Sequence, residues 1–280
     1  MHRVHQRGRA GGSDSPVRPP AQTPPQFPGP QASGAPGPGG GVTRLQRFAH
    51  RGASALAPEN TLASFQAAVD LGCDWVETDL RLTADGVPIL LHDATVNRTT
   101  GGKGKVGSMS LAQVLRLDAG SWFDRRFRGE RIPTLDEALQ WARGRCGLNL
   151  EIKEEERVQE LFHRLAAKFL AQGALDRILF SSFRAADLKS LRAVLPHVRL
   201  GWLASRSTRG LTSLNRAVQL SALHPKDPLV NRRLVKRCRR IGLAVHVWVV
   251  NQARRLRELE ALGVEGVITD DPHLFGDVRE

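Results

Sequence analysis

The sequence predicts a (β/α)8 TIM barrel with a small inserted lobe after a hairpin on the second strand. Three observations carry that expectation. From residue 45 onward, eight short β-rich runs alternate with amphipathic stretches of helical period. Residues 43–280 are about as long as the roughly 250 residues typical of one such barrel. The unusual polar residues gather at the ends of the runs, where a barrel places its active site. An open doubly wound sheet is the competing architecture, but the Gly-rich fingerprint it would carry is missing.

The strand runs are 45–50, 74–80, 147–153, 177–182, 198–203, 221–224, 243–249 and 266–269. The first helical pattern, "TLASFQAAVDLG", can be capped by Asn60 or Thr61 and closed by Gly72. "PTLDEALQWARG", "EERVQELFHRLAAKFLAQG" and "NQARRLRELEALG" end in glycine in the same way. After the second run, Asp85-Gly86 signals a hairpin. A two-residue turn there would pair Ala84 with Val87 and set Asp79 opposite His92, on one face. Residues 92–133 are too long for a simple connection and read as a lobe inserted over one end of the barrel.

Residues 1–42 are Pro/Gly-rich with almost no aliphatic side chains, so they cannot bury enough surface to offset ordering. A disordered tail is expected there. It is not expected to be a signal peptide, since no apolar run follows Arg3, Arg7 and Arg9, and no later stretch is apolar enough for a membrane span. The formal charge is +13, of which about +10 belongs to residues 43–280. The basic residues are scattered and no nucleic-acid motif accompanies them, so a solvated Arg-rich surface is expected, with no nucleic-acid partner. Cys73, Cys146 and Cys238 have neither disulfide-framework nor metal spacing, which suits a reducing, cytoplasmic setting. Oligomeric state has no signature.

On this frame His50-Arg51 ends the first strand, Glu77 and Asp79 the second, and Glu151 and Lys153 the third. Ser182, His224, Trp248 and Asp270 fall at or just past later strand ends. Alternation puts Glu77 and Asp79 on one face, against Val76, Thr78 and Leu80, and pairs Glu151 with Lys153. Three carboxylates converging on one rim cannot all stay ionised without a cation. Oxygen-only ligation favours one hard divalent ion, Mg²⁺ or Ca²⁺. Rim salt bridges, such as Glu151 with Lys153, are the alternative. Arg51 and Lys153 beside a metal suit a phosphate, and His50 and His92 suit acid–base work near neutral pH. The sum is metal-assisted phosphoryl transfer.

"AHRGASALAPENTLASF", "ETDLRLTADGVPILLHD", "RTTGGKG", "IPTLDEAL", "LNLEIK", "HVWVVN" and "GVEGVITDDP" together resemble the glycerophosphodiester phosphodiesterases of the bacterial, cytosolic type. The seven blocks stand in the same order and cover about 45–275. The resemblance implies hydrolysis of a small-molecule glycerophosphodiester to sn-glycerol 3-phosphate and an alcohol. It implies Glu77, Asp79 and Glu151 as metal ligands, and His50 and His92 as an acid–base pair in either order. Arg51 and Lys153 would lie on the phosphate and Trp248 against the glycerol. It further implies that the glycerol 2-hydroxyl attacks phosphorus before water opens the cyclic ester. Val249 departs from the threonine common in "HVWVVN", and by alternation it should point away from Trp248's face.

Two other functions compete: a related barrel phospholipase acting on lysophospholipids, and a non-catalytic anion-binding protein. Ser182 and Phe183 are expected on the pocket wall. His246 reads as an interior histidine, His224 as structural or substrate-contacting at a strand end, and Glu59 as a partner for Arg51 or an ordinary first-turn acid.

Overall fold

The computed structural model describes Met1, residues 44–172 and residues 177–276. The tail expected over 1–42 lies, apart from Met1, outside the described residues. The elements run β1 (Gln46–His50), α1 (Leu62–Asp70), β2 (Trp75–Leu82), β3 (Pro88–Leu90), α2 (Leu111–Val114), α3 (Leu135–Ala142), β4 (Gly147–Ile152), α4 (Val158–Gln172), β5 (Ile178–Ser182), α5 (Ala185–Val194), β6 (Arg199–Ala204), α6 (Leu211–Val218), β7 (Ala222–Pro225), α7 (Arg232–Arg240), β8 (Ala244–Val247), α8 (Ala253–Leu262) and β9 (Gly266–Thr269). All strands but β3 are parallel to their neighbours. They follow the order β1-β9-β8-β7-β6-β5-β4-β2, and pairing of β1 with β2 closes the ring. This is the (β/α)8 barrel, with β3 added antiparallel to the outside of β2.

Local chemistry explains the element ends. Thr61 accepts from the Ser64 amide to start α1, and Thr134 with Glu137 forms a reciprocal capping box on α3. The outward faces of the strands (Val76, Leu80, Leu148, Leu150, Phe180, Leu200, Val245, Val267) pack in one core with inward helix faces such as Leu161, Leu191 and Leu259. Inside the ring, large side chains fill space left by glycine. The Trp75 ring lies where a β-carbon on Gly147 would sit, and His224 crowds Gly201 in the same way. The segment between β3 and α3 has its own small apolar cluster, in which Ile89, Leu91, Val96, Val106, Val114 and Ile132 meet.

The hairpin register corrects the expectation. Leu80 pairs with Leu90, Arg81 with Ile89 and Leu82 with Pro88. Thr83 then faces Val87 across a three-residue loop: the Gly86 amide donates to the Thr83 carbonyl at 2.9 Å, and Gly86 adopts φ +76°. A type I turn followed by a left-handed glycine is the three-residue hairpin solution, and Asp-Gly fits it as well as the two-residue one. Asp79 therefore lies opposite Leu91, whose amide donates to the Asp79 carbonyl at 3.0 Å, and not opposite His92. His92 still reaches the rim, because β3 ends at Leu90 and alternation no longer governs residue 92. Arg81 fixes it there, donating to the His92 carbonyl at 2.9 and 2.7 Å and to the Lys153 carbonyl at 3.0 Å.

Candidate active site

Strand pairing sets the site's layers. His50 is in register with Glu77, Glu77 with Asn149, and Asp79 with Glu151. His50 ends β1, Glu77 and Asp79 both lie on β2, and Asn149 and Glu151 both lie on β4. A cavity of about 320 Å³ opens between them. Its polar lining is His50, Arg51, Glu77, His92, Asn149, Glu151, Lys153 and Ser181, and its apolar wall includes Phe183, Leu203, Trp248, Val249 and Ile268.

Glu77, Asp79 and Glu151 are buried, and each offers a carboxylate oxygen within 4.8 Å of the others. Burial and the Asp79 charge push the Glu77 carboxyl up to about 7 and the Glu151 carboxyl up to about 8. Burial acts the same way on Asp79, but Arg51 and Lys153 outweigh it and hold that group below its ordinary value. The salt bridges weighed from sequence also exist: Lys153 Nζ lies 2.6 Å from Glu151 and 3.6 Å from Asp79, and Arg51 Nε 3.4 Å from Asp79. They do not exhaust the cluster. Three buried carboxylates face two cationic side chains, and Asp79 Oδ1 has no hydrogen-bond partner among the described residues. An all-oxygen, electron-rich cluster with an orphaned carboxylate oxygen fits a hard cation.

Both histidines are oriented by carboxylates. His50 Nδ1 lies 2.6 Å from Asp270 Oδ1, which Ser54 and Asn251 also hold. His92 Nδ1 lies 2.7 Å from Asp93 Oδ1. In each ring this leaves Nε2 for other work. Burial opposes protonation of His50, but the Asp270 hydrogen bond and the Glu77 charge prevail and raise its pKa. Burial lowers that of His92 despite Asp79 and Asp93.

A barrel rim with this constellation matches known proteins. Residues 50–274 match the model of the glycerophosphoryl diester phosphodiesterase family. The chain belongs to that family. It is accordingly an enzyme, a hydrolase of phosphodiesters. It is 34% identical over 227 residues to a glycerophosphodiester phosphodiesterase of Caldanaerobacter subterraneus subsp. tengcongensis, covering 80% of this chain and 93% of that one. A Bacillus subtilis glycerophosphodiester phosphodiesterase is 32% identical over 257 residues, with 85% and 87% covered. Among solved structures, an Oleispira antarctica phosphodiesterase in complex with the product sn-glycerol 3-phosphate superposes with a TM-score of 0.80. It is 32% identical, with 84% of this chain and 97% of that chain covered.

Within this glycerophosphodiester phosphodiesterase fold, His50, Arg51, Glu77, Asp79, His92, Glu151, Lys153, Phe183 and Trp248 all come to one rim. Eight of them line the cavity, and Asp79 lies buried behind Arg51 and Lys153. Trp248 is fixed by its indole N–H, which donates to the His224 carbonyl at 2.7 Å, and Phe183 meets it edge to face at 5.5 Å. Lys153 Nζ sits 5.7 Å from the Phe183 ring centroid.

Two expectations are corrected. Ser182 faces outward, where its hydroxyl donates to Asp187 at 2.7 Å; Ser181 takes the place on the cavity wall. Val249 lines the cavity beside Trp248, because β8 ends at Val247 and alternation does not extend past it. For His224, unlike these, the structural alternative holds, though inside the barrel rather than at its rim: it is fully buried, 3.2 Å from His246, and its carbonyl accepts from the Trp248 indole.

Apart from Glu59, sequence reasoning missed the residues that hold others in place. Arg98, on the inserted lobe, makes a fork to Asp93 (2.8 and 3.1 Å) and a second fork to Glu59 (2.6 and 2.8 Å). Glu59 in turn accepts from Arg51 at 2.9 Å, so one chain of ion pairs joins His92 to Arg51. Asn60 donates to Asp79 at 2.8 Å while accepting from Thr78 at 2.6 Å. The sequence did offer Glu59 as a partner for Arg51, and the structure pairs them; Arg98 with Glu59 and Asn60 with Asp79 meet across 39 and 19 residues.

Proposed function

We propose that the enzyme hydrolyses glycerophosphodiesters to sn-glycerol 3-phosphate and an alcohol, using His50 and His92 as its acid–base pair. The observation that carries this reading is the pair of carboxylate-anchored histidines beside three buried carboxylates in one cavity. The relative bound to sn-glycerol 3-phosphate supports the choice of product.

Glu77, Asp79 and Glu151 would hold one divalent cation, Mg²⁺ or Ca²⁺, which supplies charge stabilisation for phosphoryl oxygens when bound. Arg51 and Lys153 bind the same oxygens, the first as a fork and the second as a point charge. One histidine takes the proton of the glycerol 2-hydroxyl as its oxygen forms a bond to phosphorus. The other gives a proton to the departing alcohol oxygen. Water then opens the cyclic ester with the two roles exchanged, which restores both rings. Asp270 and Asp93 keep each Nε2 aimed inward throughout. Trp248 and Phe183 bind the carbon skeleton of the glycerol.

Release of glycerol 3-phosphate from a headgroup panel tests the reading, with lysophosphatidylcholine beside glycerophosphocholine. Turnover of the lysolipid alone would replace it with the phospholipase alternative. Trp248→Ala is expected to raise KM more than it lowers kcat, since a ring-face contact is made in ground and transition states alike. A large fall in kcat at unchanged KM would place Trp248 in the chemistry instead. Arg98→Ala, which breaks both forks, is expected to lower kcat roughly tenfold with cation affinity unchanged.

We also propose that the catalytic unit spans 43–280, with 92–133 as its insertion and residues 1–42 dispensable to it, and that it works in the cytoplasm. Three free, buried cysteines suit a reducing compartment. Deleting 1–42 should leave turnover and melting temperature close to those of the full chain; a large drop in either contradicts the proposal. Among the described residues, no helix is long and apolar enough to cross a membrane.

A further inference from the structure

The cavity wall contains two polar side chains that the acid–base scheme does not use. Asn149 is fully buried, and neither its amide nitrogen nor its carbonyl oxygen has a hydrogen-bond partner among the described residues. Ser181 is equally buried and its hydroxyl is likewise unpaired. Both line the cavity, on adjacent strands. Asn149 is in register with Glu77 and Ser181 with Glu151, so the pair flanks the carboxylate cluster. Buried donors and acceptors left unpaired are costly unless a ligand completes them.

The donor set says which ligand group. A cation would use only the Asn149 carbonyl, and a phosphate oxygen only its N–H₂. Asn149 and Ser181 each present a donor together with an acceptor, and an alcohol hydroxyl is the smallest substrate group that complements both. Resting on the function proposed above, the 2-hydroxyl is spent on phosphorus, which leaves the glycerol's terminal hydroxyl. We infer that Asn149 and Ser181 form a specificity subsite that hydrogen-bonds the terminal hydroxyl of the glycerol moiety and so selects glycerol over shorter-functionalised diols.

The test compares glycerophosphocholine with the matching propane-1,2-diol phosphodiester, which keeps the 2-hydroxyl and lacks the terminal one. Wild-type enzyme should prefer the glycerol ester in kcat/KM by on the order of 10²-fold or more, as sites built around a hydroxyl do. Asn149→Ala should lose roughly 10–100-fold on the glycerol ester and change little on the deoxy substrate. Ser181→Ala should move in the same direction, and it keeps the test alive if Asn149→Ala does not fold. Equal turnover of both substrates by wild type would overturn the inference. So would equal losses on both substrates in the variants, because the pair would then serve the cation or the fold. Wild-type enzyme inactive on both esters, yet active on another phosphodiester, would instead remove the glycerophosphodiester reading itself.

Discussion

Replacing His50 or His92 by alanine should lower kcat by on the order of 10²–10⁴-fold, the usual cost of removing a positioned acid or base. Both rings sit at the rim and are partly exposed, with their Nδ1 atoms spent on Asp270 and Asp93. Their removal leaves no large cavity, so melting temperature should move little. Cation affinity should also survive, because the proposed ligand oxygens belong to Glu77, Asp79 and Glu151. The double variant should be barely worse than the poorer single one, since in the proposed mechanism the two rings serve one proton cycle. Glycerol 3-phosphate release at saturating cation and substrate measures all three variants. Either single variant retaining more than about a tenth of wild-type kcat would remove that histidine from the chemistry.

The histidines also show what the sequence discloses and what it withholds. Inward placement of Glu77, Asp79 and Glu151 followed from strand alternation alone, because β2 and β4 are regular through those positions, and it held for Lys153 one residue past β4. The same rule failed where strands stop. His92 lies two residues beyond β3, and its expected pairing with Asp79 presumed a two-residue turn that Asp85-Gly86 permits but does not require. Choosing Ser182 over Ser181 was a one-residue error of face on β5, where both inward and outward neighbours are small or apolar and no polar pattern marks the register.

The supporting partners were illegible for a different reason. Asp270 orients His50 across 220 residues, and Arg98 reaches Glu59 across 39. Neither contact has a local periodicity to betray it. Arginine and aspartate are common on any basic, loop-rich surface, so their pairing emerges only once the barrel closes and the lobe folds over it.

The other large effect expected is loss of the divalent cation. Chelation should lower activity by on the order of 10³-fold or more, because charge stabilisation worth several kcal/mol disappears at roughly tenfold per 1.4 kcal/mol. Mg²⁺ or Ca²⁺ should restore it, since the proposed ligand set contains only oxygen. Glu151→Gln should weaken cation affinity while leaving the fold near wild type. The substitution is nearly isosteric, but it removes a negative charge from a cluster in which three carboxylates already face Arg51 and Lys153. It also frees Lys153, whose ammonium would then repel an incoming ion. Titration calorimetry on the stripped protein measures the affinity change, and turnover with metal add-back measures the activity. Full turnover in excess chelator, by protein shown to contain no bound metal, would leave the carboxylates as salt-bridge partners of Arg51 and Lys153 and nothing more.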